Sequence, residues 1–259
     1  MRIVIKVFQV IYSVYALLLF VLLMLVVILF VIPASFFGRI KGGNFIYKVI
    51  GLWADSWLFL VGITHKNTFI GPHSRDHACI FVINHISYMD VPIVMKAIRQ
   101  PIRILAKIEL SRIPIFGYLY RNATVMVDRS SAENRLKSVL ILKSLLKKGV
   151  SIVIFPEGTF NTTGVPLKEF YLGAFRIALE TQTPVKPVVF PYTVDRLHYN
   201  SVFSLSPGRS RAIFLEEVPV TGLTLKDAEL LKQKVFKVME EELRKHRTYE
   251  QQDQVCVDQ

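Results

Sequence analysis

The sequence predicts an α/β domain built on a mixed sheet, preceded by N-terminal membrane-anchoring helices. Two observations carry this. From residue 78 onward, short apolar runs alternate with helical patterns. Ahead of them, residues 7–38 carry no charged side chain, and residues 16–32 (ALLLFVLLMLVVILFVI) are almost uninterrupted hydrocarbon. The chain has 259 residues, so one domain of ordinary size remains once that segment is set aside. The 52% hydrophobic content and the mean hydropathy of +0.39 reflect this local excess.

A spanning helix needs about 20 apolar residues, and a helix over about 7–36 meets that length. A cleaved signal peptide would have a shorter apolar region, roughly 7–15 residues, with a small-residue cleavage site. Arg2 and Lys6 precede the segment, while Arg39, Lys41 and Lys48 follow it. The slight excess on the far side favours a cytosolic domain. With a cytosolic N-terminus, the segment would instead be a re-entrant or interfacial anchor. Residues 44–62 form a second helical pattern, with Ile46, Val49, Ile50, Trp53, Trp57 and Leu60 in register. This reads as an interfacial amphipathic helix with Trp53 and Trp57 as interfacial aromatics. A core helix is the alternative. Residues 1–66 are thus expected to form the anchor, 67–248 the globular domain and 249–259 a disordered tail.

Within the domain, strands are expected at 78–83, 102–106, 123–127, 151–155, 185–190 and 211–215. Helices are expected at about 88–98, from the Ser130-x-x-Glu133 capping box to Lys147, at 169–181 and at 224–246. Gly149 is the expected stop for the second of these. Leu230, Leu231, Val235 and Val238 are expected to face inward from the last.

The net charge of +12 is uneven, with about twelve basic and about three acidic residues between Lys96 and Lys148. Such a surface suits an anionic membrane or phosphate groups. No zinc-finger spacing or RNA-binding signature is present, so nucleic acid is not an expected partner. Cys79 and Cys256 are far apart and suggest neither a disulfide framework nor a metal site. Asn122 and Asn161 open glycosylation sequons, a weak signal that is irrelevant in a cytosolic domain.

Three groups of residues could do chemistry. Asn84-His85-Ile86-Ser87-Tyr88-Met89-Asp90 follows a buried strand, where α/β folds place reactive groups. Histidine takes a hydroxyl proton near neutral pH, and a carboxylate fixes its tautomer. Asp90 can fold back to meet His85 if it lies in the first helical turn. Asn84 and Ser87 would cap the helix or hold the loop. Phe155-Pro156-Glu157-Gly158-Thr159 forms a tight turn after another strand, whose amides could bind an oxyanion. Lys107 and Asp128-Arg129 place positive charge at strand ends, where a phosphate could be received. A helix cap, a structural turn and internal ion pairs are the plainer readings of each group alone.

In order and spacing, NHISYMD (84–90), VMVDR (125–129), FPEGT (155–159) and TPVKPVVF (183–190) resemble the four blocks of the glycerolipid acyltransferase family, in particular its 1-acylglycerol-3-phosphate branch. The resemblance covers about residues 75–220. It implies a mixed-sheet acyltransferase domain that moves a fatty acyl group from acyl-carrier protein or acyl-coenzyme A to a lysophospholipid hydroxyl, with no cofactor. It implies His85 as general base and Asp90 as its partner. Lys107 and Arg129 would hold the acceptor's phosphate; Glu157, Gly158 and Thr159 would line or position the acceptor. The implied location is a membrane, with the domain on its cytoplasmic face (the inner membrane in a bacterium). The sequence departs from the family where Phe160 and Tyr171 stand in places that often carry positive charge, and where Ala123 replaces a glycine. Lys168 is a candidate substitute for the lysine absent at 171. These departures leave room for another lysolipid acceptor, such as a lyso-aminolipid or a remodelled lysophospholipid. A silent lipid-binding protein on the same fold is a further alternative. No Gly-x-Ser-x-Gly elbow is present, which argues against a serine lipase.

Overall fold

The structure, a computed structural model, describes residues 2–73, 76–113, 116–127 and 132–247. The chain opens with α1 (Arg2–Ser35), turns through a π-helical segment (Gly38–Gly42) and returns as α2 (Gly43–Leu60). It then enters the sheet through β1 (Ile63–Phe69) and β2 (Ile80–Ile83), followed by α3 (Asp90–Ala97) and β3 (Ile102–Lys107). Next come α4 (Phe116–Ala123), β4 (Thr124–Val127), α5 (Ala132–Lys147) and β5 (Ser151–Ile154). The remainder is α6 (Gly173–Thr181), β6 (Val185–Val189), α7 (Thr193–Arg196), β7 (Gly208–Phe214) and α8 (Ala228–Arg244).

The seven strands run in the order β1-β7-β6-β2-β5-β3-β4. Every neighbouring pair is parallel except β6 with β7, so the sheet is mixed as expected. The continuous apolar runs follow from burial on both faces. In β2, Ile80 and Val82 join the core under α5, α6 and α8, while Phe81 and Ile83 join the core under α2 and α3. One result of the parallel order matters for function. The C-terminal ends of β2, β3, β4 and β5 share one edge, which gathers residues from distant sequence blocks.

The N-terminal helices pack on this domain. The Tyr47 hydroxyl donates to Ile98 O at 2.7 Å, and Trp57 Nε1 donates to Ala16 O at 2.9 Å. Phe20 of α1 meets Trp53 and Trp57 edge-on at 4.7 and 5.5 Å. Trp57 is therefore a packing residue between helices, only 5% exposed. The rest of α2 faces outward through Phe45, Leu52 and Phe59, so the amphipathic pattern serves both an inner and an outer face. Val4–Ser35 is long and apolar enough to cross a membrane. At about 1.5 Å per residue it exceeds the ~30 Å hydrocarbon thickness. Most of its large side chains, Phe8, Leu18, Leu29 and Phe30 among them, are exposed.

Several boundaries shift from the sequence reading. The 66/67 border falls inside β1, an edge strand that pairs with β7 through all seven of its residues. Its sequence, ITHKNTF, alternates weakly because only its Ile63 is fully buried. In α8 the inward stripe is Leu231, Val235, Met239 and Leu243, spaced by four. Leu230 is 62% exposed, because it lies one residue, about 100°, off that stripe. The helix expected from 169 begins at Gly173, and a short helix, α4, lies ahead of β4 where no helix is expected. The Ser130 cap, the tail from 249 and Cys256 lie outside the described residues. Asn161 is buried and donates through Nδ2 to Val165 O, which closes it to glycosylation.

Candidate active site

His85 stands at the end of β2, on the edge where four parallel strands terminate. Asn84 clips that end in place. Its Nδ2 donates to Phe190 O at 3.2 Å and its Oδ1 accepts from Phe190 N at 2.7 Å, joining β2 to the end of β6. Ser87 Oγ accepts from Met89 N and donates to Leu197 O. Both residues thus hold the loop.

Asp90 opens α3 and is fully buried. Its Oδ2 accepts from His85 Nδ1 at 2.7 Å, from Ile86 N at 2.8 Å and from Ser87 N at 2.9 Å. Its Oδ1 accepts from Thr193 Oγ1 at 2.5 Å. Four donors on one carboxyl group match an acceptor-only carboxylate. The His85 proton accordingly sits on Nδ1, and the Nε2 lone pair is left for a substrate. The five-residue separation closes because the loop amides turn inward onto the same oxygen. Thr193, at the start of α7, was not legible as a member of this group. It lies 103 residues away, and nothing local marks it.

Aromatic rings frame the imidazole. Phe155 stacks on it at 4.2 Å, and Phe160 meets it edge-on at 4.4 Å. Tyr88 in turn packs edge-on against Phe160 at 4.8 Å. Two rings limit the rotamers open to His85 and exclude water from its flanks.

Glu157 is 1% exposed. Its Oε1 accepts from His85 N at 2.8 Å and its Oε2 from Lys168 N at 2.9 Å. Expected to position an acceptor directly, it instead braces the backbone that carries His85. Gly158 adopts φ +72°, a left-handed conformation that a side chain would strain. Its amide donates to Phe155 O at 3.1 Å and so closes the turn, which removes it as an oxyanion donor. Thr159 Oγ1 accepts from Lys168 Nζ at 2.9 Å. Lys107 ends β3 beside Val127 of β4, on the same edge of the sheet as His85; its side chain lies outside the described residues, as does Arg129. Among the described residues, no group of three or more His, Cys, Asp or Glu is placed to hold a metal.

Burial pushes the Glu157 carboxyl up to about 8, against the two amides that favour its charged form. A carboxyl raised above its unfolded value makes the fold most stable below the unfolded pKa, and that contribution is lost as pH rises through about 8. Unfolding temperature should therefore fall between about pH 5 and 8, and Glu157→Gln should flatten that slope while lowering stability by about 1–3 kcal/mol, since its amide leaves one backbone N–H unsatisfied. Thermal melts of both proteins across pH check this; parallel slopes would refute it.

A part-buried histidine held by a carboxylate through Nδ1, with Nε2 turned away from that carboxylate at the edge of a mixed sheet, has the chemistry to take a proton from a hydroxyl. Residues 65–191 match the family described as Acyltransferase, and the chain belongs to this family. It is 32% identical over 159 residues to a 1-acyl-sn-glycerol-3-phosphate acyltransferase of Cocos nucifera, covering 61% of this chain and 50% of that protein. It is 33% identical over 117 residues to a lyso-ornithine lipid O-acyltransferase of Pseudomonas aeruginosa, covering 45% and 44%. The chain thus spans about half the length of these curated relatives. In fold it is similar to the crystal structure of the 1-acyl-sn-glycerophosphate acyltransferase PlsC from Thermotoga maritima, with a TM-score of 0.72, 24% identity, and 96% and 100% of the two chains covered.

Proposed function

We propose that the protein transfers a fatty acyl group from an acyl thioester to the free hydroxyl of 1-acylglycerol-3-phosphate, giving phosphatidic acid. The observation that carries this reading is the 2.7 Å His85–Asp90 contact, with Nε2 directed away from the carboxylate. Nε2 removes the acceptor's hydroxyl proton as that oxygen attacks the thioester carbonyl. The tetrahedral intermediate collapses, the C–S bond breaks, and the imidazolium returns its proton to the departing thiolate. Asp90 stabilises the imidazolium in between. No acyl-enzyme is needed.

In this reading Lys107 and Arg129 hold the acceptor's phosphate, and Lys168, which donates to Thr159 Oγ1, adds a further cation to the site. Glu157 and Gly158 position the loop. The donor is acyl-coenzyme A or acyl-carrier protein. In the same reading α1, apolar and exposed along its length, anchors the domain to a membrane, the domain lies on the cytoplasmic face, and acyl chains approach from the lipid side.

A second reading, a different lysolipid acceptor, is favoured by Phe160. Its ring lies against His85, where a basic side chain would have met the acceptor's phosphate. The exposed Tyr171 adds no charge nearby. Purified full-length protein offered lysophosphatidate, lyso-ornithine lipid and zwitterionic lysolipids, with both thioester donors and mass spectrometry of products, decides between the two. Under the first reading lysophosphatidate is preferred by at least tenfold in kcat/KM. Phe160→Arg should then raise that preference further, by roughly three- to tenfold for one added charge-assisted contact. A preference for an uncharged or aminolipid headgroup would end the first reading.

A further inference from the structure

Beside β3 and β4 the fold holds a second arrangement of charge. A cavity of about 350 Å³ lies between the α1–α2 turn, β3, β4 and α5. That volume is at the lower end of the ~300–1,000 Å³ range of small-molecule sites. Three arginines line it: Arg39 from the turn, Arg103 from β3 and Arg121 from α4. Arg39 and Arg121 are exposed, whereas Arg103 is 4% exposed.

Arg103 is the unusual member. Its guanidinium donates to Ile102 O at 2.7 Å, Arg39 O at 2.5 Å and Asn44 Oδ1 at 3.1 Å, all neutral acceptors. Among the described residues, none of the three arginines is in an ion pair. Burial lowers the Arg103 pKa only to about 10, so it stays charged at neutral pH. A buried charge without a counter-ion is costly, and two further cations at the same cavity add to the cost. The backbone also makes room for it. A Cβ on Gly43 would lie 2.1 Å from Arg103 Nη2. Val125, Ile141 and Leu145 supply an apolar part of the wall, beside the polar Ser35, Asn122 and Thr124.

We infer that this cavity binds a phosphate-bearing anion, with the arginines on the phosphate and the apolar wall receiving attached hydrocarbon. It is separate from the proposed reaction centre. Arg103 is the second residue of β3, whereas His85 follows the C-terminal end of the parallel β2. The inference does not depend on the acyl-transfer reading. The ligand is either the headgroup of an anionic lipid in the membrane beside α1 or a soluble phosphate compound.

The test uses full-length protein in detergent and the variant Arg39→Gln/Arg121→Gln, both at exposed side chains, with its unfolding temperature measured first because Arg121 Nη1 also donates to Ser111 O at 2.7 Å. In one arm, native mass spectrometry measures retention of phosphatidylglycerol and of net-neutral phosphatidylcholine. In the other, inorganic phosphate is titrated while the unfolding temperature is followed. Wild type should retain phosphatidylglycerol at least tenfold better than the variant, with equal retention of phosphatidylcholine and equal turnover. If phosphatidylglycerol retention is equal but phosphate stabilises wild type and not the variant, the anion site stands and its ligand is soluble. Arg103→Lys, which keeps charge but loses the planar fork, should weaken whichever response wild type shows. Wild type and the double variant responding alike in both arms would overturn the inference.

Discussion

Replacing His85 with alanine should lower acyl transfer by about 10⁴-fold, the upper end of what a positioned general base contributes. The fold should survive. The ring is 18% exposed at the domain edge, and its loss leaves Asp90 with three donors, Ile86 N, Ser87 N and Thr193 Oγ1. One hydrogen bond of about 1 kcal/mol is lost, so unfolding temperature should drop by only a few degrees. Membrane attachment, which depends on α1, should not change. Turnover within tenfold of wild type would remove His85 from the mechanism. A collapse of the melting transition would instead mean that the loss of activity reports unfolding.

Replacing Asp90 with asparagine is the second large effect, roughly 10³-fold in kcat. The geometry dictates how the amide must sit. Its oxygen has to take the place of Oδ2, because the Ile86 and Ser87 amides both donate there. The NH₂ then faces Thr193, whose hydroxyl can rotate to accept. The loop and the His85 tautomer are retained, and what disappears is the negative charge behind the imidazolium. The variant should therefore keep KM near wild type and lose kcat. A raised KM with kcat near wild type would point to substrate positioning rather than support of the base.

Much of this arrangement is legible in the chain because it is local. His85 and Asp90 sit five residues apart across a strand–helix junction, and the FPEGT turn announces itself through Pro156 and Gly158. The buried strands are equally plain, since a strand covered on both faces must be apolar at every position. The uncharged run before Arg39 can be read directly as a long hydrophobic helix. Polar elements were harder. β1 is an edge strand held by β7, and its side chains carry almost no signal of that pairing.

Other features depend on contacts that close only in three dimensions. The two oxygens of Glu157 reach backbone amides at His85 and Lys168, so a residue that reads as a ligand for substrate acts as a brace. Thr193 and Phe190 arrive from beyond β6 to complete the Asp90 and Asn84 contacts. Arg103 is an ordinary basic residue in the chain and becomes a buried cation only when the α1–α2 turn folds over it. Periodicity and short motifs record which face of an element is buried. Hydrogen-bond partners a hundred residues apart are set by strand order and register, which those local patterns do not encode.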